Sequence, residues 1–481
     1  MTEILTAEQI CKASALTIEA GTTAKELMHS FGHEVTDLIR SLYKSQPVLI
    51  LAGPGKNGSD GLVIANHILE QRWPVRVCFI GNVDELSTEA KAAYEKYPWE
   101  ILSLSELGQI EEDLIIDSLF GSGLNREIAS PLSDLIHDLN QSSKQIISLD
   151  IPSGIGSESG QILGMAFKAT HTISFLRPKF GHLLFPGKAH CGQLHLINSG
   201  ILEATVSALR VKYWQNEPFY WRSLFPRPKT SDHKYSRGHA LIFGGDRMTG
   251  AARLTARAAR RTGAGLVTIA SHDQVRSVYQ YDTGVIVDSW ENWDKLLNDP
   301  RIGTVAIGPG AETTMLKSYV ISLCKYKKRM VLDADVLTAF SNERDFLFQN
   351  IQSNSVLTPH EGEFRKLFPE LIDAPIGRVQ QALEAAKQSR SIVVFKGNQT
   401  VIAAPDGRAF FNNGAPPTLA TAGTGDVLTG IITGLLAQGV PAFEASAMAV
   451  WIHGEAAKQF GAGLIAEDLP DLLPSVFENF F

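Results

Sequence analysis

A glycine-rich turn and an aspartate precede a long apolar segment in AGTGDVLTGIITGLLAQG, residues 422–439. The turn would let main-chain N–H groups approach a phosphate, and the positive end of the following helix would favour its charge. The stretch contains no lysine and lacks Walker A spacing, so we predict a phosphate site built from main-chain groups alone. Asp426 could then accept a proton from a hydroxyl group that attacks the phosphoryl group. The alternative is that Asp426 is an ordinary helix N-cap.

A second candidate site begins in LILAGPGKNGSDGLVIANHI, residues 49–68, where a strand, a glycine-rich turn and a helix follow one another. Its glycine spacing differs from the GxGxxG of dinucleotide-binding folds, so a phosphate site and a simple tight turn both stay open. Asp117 in DSLFGSGL, and Asp150 with Ser153 in LDIPSG, follow two further predicted strands. Neutral oxygens with one carboxylate suit a weakly bound monovalent cation better than zinc or calcium.

The elements around these residues predict a scaffold that brings strand ends together. Short apolar runs alternate with helical stretches, which predicts parallel sheets covered on both faces, with ligands at the carboxyl ends of the strands. The first series of predicted strands lies at 47–53, 75–81, 113–121 and 144–154, with a helix at 61–71. The second series lies at 239–246, 265–271, 303–310, 330–337, 353–359, 391–397 and 400–407. We therefore predict two α/β domains, 1–212 and 222–481, joined near 210–225.

The helix after the GTGD turn is predicted from apolar pairs that recur every four residues. It should begin at about Asp426 and end at Gly439, which Pro441 follows. Thr429, Gly430, Thr433 and Gly434 are small, so another element should pack closely on that side.

Composition excludes several classes of protein. The 481 residues are 44% hydrophobic and 20% charged, with a net charge of −7 and a pI of about 6.0, so we expect a globular protein without a nucleic-acid partner. The N-terminus carries no signal-peptide core, and no apolar stretch is long enough for a bilayer. The four cysteines are isolated, which predicts reduced thiols rather than a zinc site. We expect a cytoplasmic protein without a membrane partner, acting as a homo-oligomer on small molecules.

The C-terminal half resembles the ADP- or ATP-dependent dehydratase of hydrated NAD(P)H, in the ribokinase-like superfamily. The resemblance covers about residues 225–475. The motifs that carry it follow in order: FGGDRMTGAARLTARAARRTGAG, AIGPG, LDADVL, LTPHEGEF, VVFKGNQTVIAAPDG and the GTGD segment. It implies a ribokinase-like α/β/α domain that phosphorylates the ring hydroxyl of NADHX or NADPHX and then eliminates phosphate. The sequence itself does not distinguish ADP from ATP as the phosphoryl donor. Only the resemblance favours ADP, through the fused arrangement of the two halves.

The resemblance also implies roles for individual residues. Asp426 would be the catalytic base, and the substrate would contact Ala251, Gly310, His360 and Asp426. The first nucleotide-binding segment would be Lys396, Gly397, Asn398, Gln399 and Thr400. The second would be Pro416, Pro417, Thr418, Leu419, Ala420, Thr421, Ala422, Gly423, Thr424 and Gly425. His360 and Glu363 stand where many relatives have Asn-x-x-Glu near Mg²⁺, whereas Asp333 and Asp335 are expected to serve capping and turn formation.

The N-terminal half, about residues 10–205, resembles the NAD(P)HX epimerase domain, which many bacteria fuse to the dehydratase. The resemblance implies that Asn57, Asp117 and Ser153 hold K⁺. The substrate would contact Lys56, Asn57, Gly58, Ser59, Asp60, Gly121, Ser122, Gly123, Leu124, Asn125, Arg126, Glu127 and Asp150. Lys56 and Ser59 depart from the family's NNGGDG.

Asp150 is either the acid–base residue at the epimerising carbon or a residue that orders the IPSG turn. The stretch 176–192 is also family-like, and we assign it no chemistry.

Together the halves predict an α/β enzyme with a Rossmann-like three-layer sandwich followed by a ribokinase-like domain. It would epimerise R- and S-NAD(P)HX and dehydrate the S form, converting ADP to AMP and phosphate. One alternative is a ribokinase-type kinase for a vitamin-like alcohol with an N-terminal nucleotide-binding module. The other is that the N-terminal half serves only as a sensing or interaction module.

Overall fold

A computed structural model of the chain describes residues 3–86, 88–311, 314–374 and 376–480. The chain divides into two compact units, Met1–Val211 and Lys212–Phe481. All four cysteines are unpaired thiols. Within the described ranges, no helix combines the length and the apolar character needed to cross a bilayer.

The first unit is built on six parallel strands. They are β1 (Val48–Ala52), β2 (Val75–Phe79), β3 (Leu114–Ser118), β4 (Gln145–Leu149), β5 (His171–Phe175) and β6 (Gln193–Ile197). Their spatial order is β2-β1-β3-β4-β5-β6. The helices are α1 (Ala7–Glu19), α2 (Ala24–Leu42), α3 (Lys56–Glu70), α4 (Thr88–Lys96), α5 (Leu132–Gln141), α6 (Phe180–Leu183), α7 (Gly187–His190) and α8 (Glu203–Ala208).

Helices cover both faces of this sheet. Val48, Ile50 and Ala52 of β1 belong to a core that includes side chains of α2, α3 and α4. The alternate residues Leu49 and Leu51 belong to a second core with α5. Because successive side chains of a strand point to opposite faces, this division confirms the predicted three-layer arrangement.

The second unit is built on ten strands. They are β7 (Tyr213–Gln215), β8 (His239–Gly244), β9 (Leu266–Ser271), β10 (Ile286–Ser289), β11 (Ile302–Ile307), β12 (Arg329–Leu332), β13 (Val356–Leu357), β14 (Ile392–Phe395), β15 (Gln399–Ala403) and β16 (Ala409–Asn413). Their order is β10-β9-β8-β11-β12-β13-β14-β15-β16-β7. The strand β7, from the stretch left between the two predicted domains, pairs with β16.

The helices of the second unit complete the α/β fold. They are α9 (Thr249–Thr262), α10 (Arg276–Tyr279), α11 (Trp293–Asn298), α12 (Leu316–Cys324), α13 (Asp335–Ala339), α14 (Arg344–Asn350), α15 (Glu361–Leu367), α16 (Pro369–Ile372), α17 (Arg378–Ser389), α18 (Thr424–Ala437), α19 (Ala442–Phe460) and α20 (Leu469–Phe477).

Two predictions about the elements were wrong. The sheet of the second unit is mixed, because β14, β15 and β16 pair antiparallel; the short links between them leave no room for the crossover that parallel strands require. The helix predicted at 61–71 begins five residues earlier, at Lys56. The KNGSD residues therefore form its first turn, and the tight turn is confined to Gly53–Gly55.

Candidate active sites

The GTGD residues form the first turn of α18. The helix begins at Thr424, its N-cap is Gly423 with a φ of 89°, and no described side chain caps it. Gly423 can adopt this left-handed conformation without a steric penalty. Asp426 is the third residue of the helix rather than its N-cap, so the alternative role considered for it is wrong.

Close packing against α9 fixes the position of α18. A Cβ atom on Gly430 would lie 2.3 Å from the carbonyl oxygen of Thr255, and one on Gly434 would lie 2.6 Å from that of Ala259. The hydroxyl of Thr255 also donates to the carbonyl oxygen of Asp426 at 3.0 Å. The small residues of α18 therefore permit the close approach that the sequence predicted.

A lysine lies beside the GTGD turn, so main-chain N–H groups are not the only possible donors there. It is Lys396, which the resemblance placed in the first nucleotide-binding segment. Lys396 Nζ lies 3.4 Å from where a Cβ atom of Gly425 would be. The same nitrogen forms an ion pair with Asp333 Oδ1 at 2.8 Å and lies 4.0 Å from Glu363 Oε2. The lysine comes from the end of β14, so no local sequence motif around 423–426 reveals it.

Asp333 is part of this site, contrary to the capping role expected of it. Its side chain is buried, and the second carboxylate oxygen accepts a 2.7 Å hydrogen bond from Thr429 of α18. Asp333 thus connects Lys396 to α18. The neighbouring Ala334 has a φ of 47°, which is costly for a residue with a Cβ atom and marks a tightly constrained turn.

The surroundings of Asp426 suit a general base. Burial raises the pKa of Asp426 to about 7, and the negative charge of Asp333 adds to the rise, whereas Lys396 opposes it. A base whose pKa lies near neutrality is both deprotonated and able to accept a proton at physiological pH.

A cavity of about 540 Å³ lies in front of the turn and brings together both predicted nucleotide segments. It is lined by His360, Glu361, Arg378, Lys396, Gly397, Asn398, Thr424 and Gly425. Thr424 donates to the carbonyl oxygens of Leu419 and Thr421, which ties residues 416–422 to the helix. A Cβ atom on Gly310 would lie 3.1 Å from that of Ala251, so the two other predicted substrate residues are neighbours.

Arg378 is a cavity residue that sequence reasoning missed. Its guanidinium lies 3.6 Å from the centroid of the Phe395 ring and donates to the carbonyl oxygens of Gln399 and Lys396 at 2.8 and 2.7 Å. As the first residue of an ordinary helix, it gave no signal in the sequence. It adds a second positive charge to the cavity, which favours an anionic ligand.

His360 and Glu363 cap α15 reciprocally. The backbone N–H of Glu363 donates to His360 Nδ1 at 3.3 Å, and the N–H of His360 donates to Glu363 Oε2 at 2.8 Å. Within the described ranges, no three His, Cys, Asp or Glu side chains are placed to hold a metal ion together. Mg²⁺ keeps several waters and binds through few carboxylates plus substrate phosphates, so Glu363 beside a nucleotide fits that ion.

The first unit contains a cavity of about 850 Å³ at the carboxyl edge of its sheet. Most of the predicted epimerase residues line it, and Gly58 and Glu127 do not. The predicted residues that do are Lys56, Asn57, Ser59, Asp60, Gly121, Ser122, Gly123, Leu124, Asn125, Arg126 and Asp150. The sequence did not predict its apolar wall, which includes Ile10 and Cys11 of α1 and Leu27, Met28 and Phe31 of α2.

The three predicted K⁺ ligands differ in their surroundings. The Asn57 side chain is buried, and neither of its amide atoms has a hydrogen-bond partner among the described residues. A polar group buried without a partner is costly, so Asn57 suits a bound cation or ligand. Each carboxylate oxygen of the buried Asp117 already accepts two hydrogen bonds, including a 2.5 Å bond from Ser153.

Asp150 is held from two sides at the end of β4. Its Oδ2 accepts the N–H of Ser122 at 2.7 Å, and its Oδ1 lies 2.6 Å from Lys179 Nζ. Burial alone would raise the pKa of Asp150. The charge of Lys179 and the hydrogen bonds to the carboxylate together outweigh burial, so the pKa is lowered. Asp150 is therefore a carboxylate that faces the cavity.

Lys179 and His182 are two polar residues at this site that the sequence analysis did not predict. They follow β5, in the stretch to which we assigned no chemistry. The rule that ligands gather at strand ends, applied to β5, would have found them; β5 and β6 were not among the predicted strands.

Family models and related proteins match both units of the chain. The family model described as YjeF-related protein N-terminus matches residues 24–181, and that described as NAD(P)H-hydrate dehydratase matches residues 240–476. The bifunctional NAD(P)H-hydrate repair enzyme Nnr of Moorella thermoacetica is 32% identical over 94% of this chain and 92% of its own. The enzyme of that name from Coxiella burnetii is 32% identical over 98% of both chains.

One of the solved structures that are similar to part of this chain is a dehydratase. It is an ADP/ATP-dependent NAD(P)H-hydrate dehydratase from Bacillus subtilis, co-crystallized with ATP and Mg²⁺. It is 30% identical, covers 56% of this chain and 98% of its own, and superimposes with a TM-score of 0.49.

Proposed function

We infer, because the chain belongs to the family of bifunctional NAD(P)H-hydrate repair enzymes, that it returns hydrated NADH and NADPH to their reduced forms in two steps. The first unit interconverts the R and S epimers of NADHX and NADPHX, and the second dehydrates the S epimer at the expense of ADP. The observation that carries this proposal is that each unit has its own cavity with an aspartate at or next to its lining. Asp150 lines the cavity of the first unit, and Asp426 directly follows Thr424 and Gly425, which line the cavity of the second.

In the dehydratase step, Asp426 removes the proton from the ring hydroxyl of the substrate as its oxygen attacks the terminal phosphoryl group of ADP. AMP leaves, and the substrate carries a phosphate ester. The N–H groups of Gly423–Gly425 and the ammonium of Lys396 stabilise the charge on the transferred group. Phosphate then departs with a proton from the neighbouring ring carbon, which restores the double bond. Phosphate is a much better leaving group than hydroxide.

Mg²⁺ would bind the phosphate oxygens beside Glu363 and neutralise part of their charge. Lys396, whose Nζ lies 4.0 Å from Glu363 Oε2, and Arg378 supply fixed positive charge to the same cavity. The family's fused arrangement favours ADP as the donor, and the second unit contains the nucleotide segments 396–400 and 416–425 that would bind it.

In the epimerase step, Asp150 acts on the hydroxyl-bearing carbon. In NADHX and NADPHX the hydroxyl group is on the ring carbon next to nitrogen, because water adds to an enamine with its oxygen on that carbon. If Asp150 takes the hydroxyl proton and passes it to the ring nitrogen, the carbon–nitrogen bond opens to an aldehyde. Closure on the other face returns the proton to oxygen and inverts the carbon.

K⁺ is proposed for the first unit on the strength of Asn57, whose unpartnered amide would supply an oxygen ligand. Asp117 and Ser153, the other two ligands that the resemblance names, are hydrogen-bonded to each other and would hold the loops around the ion in place. The ion would neutralise negative charge near the substrate's pyrophosphate, together with Lys56 and the N-terminus of α3.

We further propose that the protein is cytoplasmic, since both substrates arise where NADH and NADPH are used, and that it is a homo-oligomer. Light scattering coupled to gel filtration measures the oligomeric state; a single-chain mass would remove that part of the proposal.

The two activities are tested with two variants in separate assays. Asp426→Asn should lose dehydration of S-NADHX by about 10²–10⁴-fold, the usual contribution of a general base, and should still bind ADP and interconvert the epimers. Asp150→Asn should lose interconversion and keep dehydration. Asp406→Asn, an exposed change in the second unit, is the control.

Two results would favour the alternatives. Phosphorylation of vitamin-like alcohols by ATP, without dehydration of NADHX, would make the second unit a small-molecule kinase. Unchanged interconversion in Asp150→Asn would support a sensing or interaction role for the first unit.

A further inference from the structure

Lys179 is a buried cation whose side chain pairs with Asp150 and Ser174 at the epimerase site. Its side chain is 1% exposed, and Nζ lies 2.6 Å from Asp150 Oδ1 and 3.1 Å from the hydroxyl of Ser174. Burying an ammonium group is costly unless a partner compensates it. Here the compensating charge is the carboxylate proposed to carry out epimerisation.

We propose that Lys179 is a positioning residue of the epimerase site. Its ammonium holds Asp150 in one orientation and in the ionised form, ready to accept the substrate's hydroxyl proton. The proposal rests on the epimerase function proposed above. Lys179 does not line the cavity itself, so it acts on the substrate through Asp150.

His182 closes a ring of hydrogen bonds around this pair. The backbone N–H of Lys179 donates to His182 Nδ1 at 3.0 Å, and His182 Nε2 lies 2.7 Å from the carbonyl oxygen of Asp150. Since Nδ1 accepts and Nε2 donates, the imidazole is the neutral Nε2–H tautomer. His182 therefore ties the backbone of Lys179 to the backbone of Asp150, while the two side chains are tied by the ion pair.

The backbone of Asp150 shows why such a ring is needed. Asp150 has a φ of 65°, in the left-handed region. A non-glycine residue keeps such a conformation only when its surroundings over-determine it, and such residues cluster at active sites. Three contacts, from Lys179, His182 and Ser122, hold Asp150 there and leave its carboxylate at the cavity surface.

The proposal distinguishes a positioning lysine from a lysine that only fills space. Arginine preserves the charge and can still donate to Asp150, whereas methionine preserves most of the volume and removes the charge. A space-filling role predicts that methionine is the better replacement. A positioning role predicts the opposite order.

The test compares Lys179→Met and Lys179→Arg in the full chain, with the exposed Lys168→Met as a matched control. Epimer interconversion is followed by chromatography without ADP, so that the dehydratase is idle. Dehydration of S-NADHX with ADP and Mg²⁺ is measured on the same samples and reports that the second unit is intact, and a thermal unfolding scan reports whether the first unit is folded.

We expect kcat for interconversion to fall by about 10²–10³-fold in Lys179→Met, within the range for an impaired acid–base group. KM should change by less than about threefold, since binding is unaffected. Lys179→Arg should recover at least about tenfold over methionine. Dehydration should match wild type in all three variants.

Interconversion within about twofold of wild type in Lys179→Met would overturn the proposal, as would a methionine variant more active than the arginine variant. Equal losses in both variants, together with the loss of a thermal transition, would assign Lys179 a structural role and overturn it too. A wild-type chain that does not interconvert the epimers would instead refute the epimerase function itself.

Discussion

At the scale of single residues, three carboxylates share one lysine in the dehydratase site. Asp333, Glu363 and Asp426 all influence Lys396, and burial dominates the titration of Asp426. Because the ion pair with Asp333 occupies Lys396, less of its charge is available to keep Asp426 ionised. The site thereby holds its base near neutrality.

This arrangement predicts a pH dependence. The pKa of Asp426 is raised to about 7, so the base is active above that pH, and the dehydration rate should fall as pH drops through it. Asp333→Asn removes a negative charge and frees Lys396 to pair with Asp426. Both effects lower the pKa of Asp426, so the acid limb of kcat/KM should move to lower pH even if the plateau rate drops.

The measurement is kcat/KM for S-NADHX against pH at saturating ADP, with Asp406→Asn as the remote control. An acid limb that stays in place, or moves to higher pH, in Asp333→Asn would contradict this account of the site.

Sequence patterns predicted residues that follow a strand or begin a helix, and missed those that reach a site through side-chain pairing. Asp426, Asp150 and residues 56–60 belong to recognisable strand or helix ends. Lys396 was predicted only through the family resemblance, as part of a nucleotide segment, and it lies beside the GTGD turn while it pairs with Asp333, 63 residues earlier in the chain. Lys179 reaches Asp150 across 29 residues. Such pairs depend on which strands become neighbours in the sheet, and the spacing of apolar residues along the chain does not predict strand order.

At the scale of elements, the contact between α18 and α9 positions the phosphate-binding turn. We predict that Gly430→Ala destabilises the second unit by about 1–3 kcal/mol, the usual cost of overpacking, because the new Cβ would meet a backbone oxygen. Gly454→Ala in α19 is the matched control, since apart from its chain neighbours and the backbone of its own helix no described atom lies within 4 Å of its Cβ position. It should be neutral or stabilise by up to about 1 kcal/mol.

Differential scanning calorimetry compares the two variants. Equal melting temperatures for the two variants would contradict the prediction, because they would mean that α18 and α9 can move apart without a loss of stability.

The helix α1 gives a second prediction at this scale. Cys11 is exposed on α1 and lines the epimerase cavity. A bulky maleimide on Cys11 should therefore block interconversion and leave dehydration intact. Cys11→Ser should be active and resist the reagent; inhibition of Cys11→Ser to the same degree would place the sensitive thiol elsewhere.

The sequence predicted most elements that position the sites, and local chemistry explains where it did not. Apolar runs predicted β1, β3, β4, β8 and β11 within a few residues. β5 and β6 carry polar residues such as His171, Thr172, Gln193 and His195, so their runs are too broken to stand out. The antiparallel pairing of β14 to β16 was missed because a strand's direction depends on the length of its link.

At the scale of the whole molecule, two separate cavities act on one substrate. Each cavity is lined by residues of its own unit, so neither active site needs the other unit to be complete. We therefore predict that an equimolar mixture of Asp150→Asn and Asp426→Asn repairs a mixture of epimers completely, because the intermediate can diffuse between chains. Each variant alone should not, and a mixture that performs no better than Asp150→Asn would show that the two steps must occur on one chain.

The extent to which the wild-type chain repairs an epimer mixture tests the two-step repair most directly. The purified protein is incubated with R- and S-NADHX, ADP and Mg²⁺, and the absorbance of reduced nicotinamide is followed to its end point. The whole mixture should become NADH. An end point at the S fraction alone would contradict the epimerase site, and no conversion with ADP or ATP would contradict the dehydratase site.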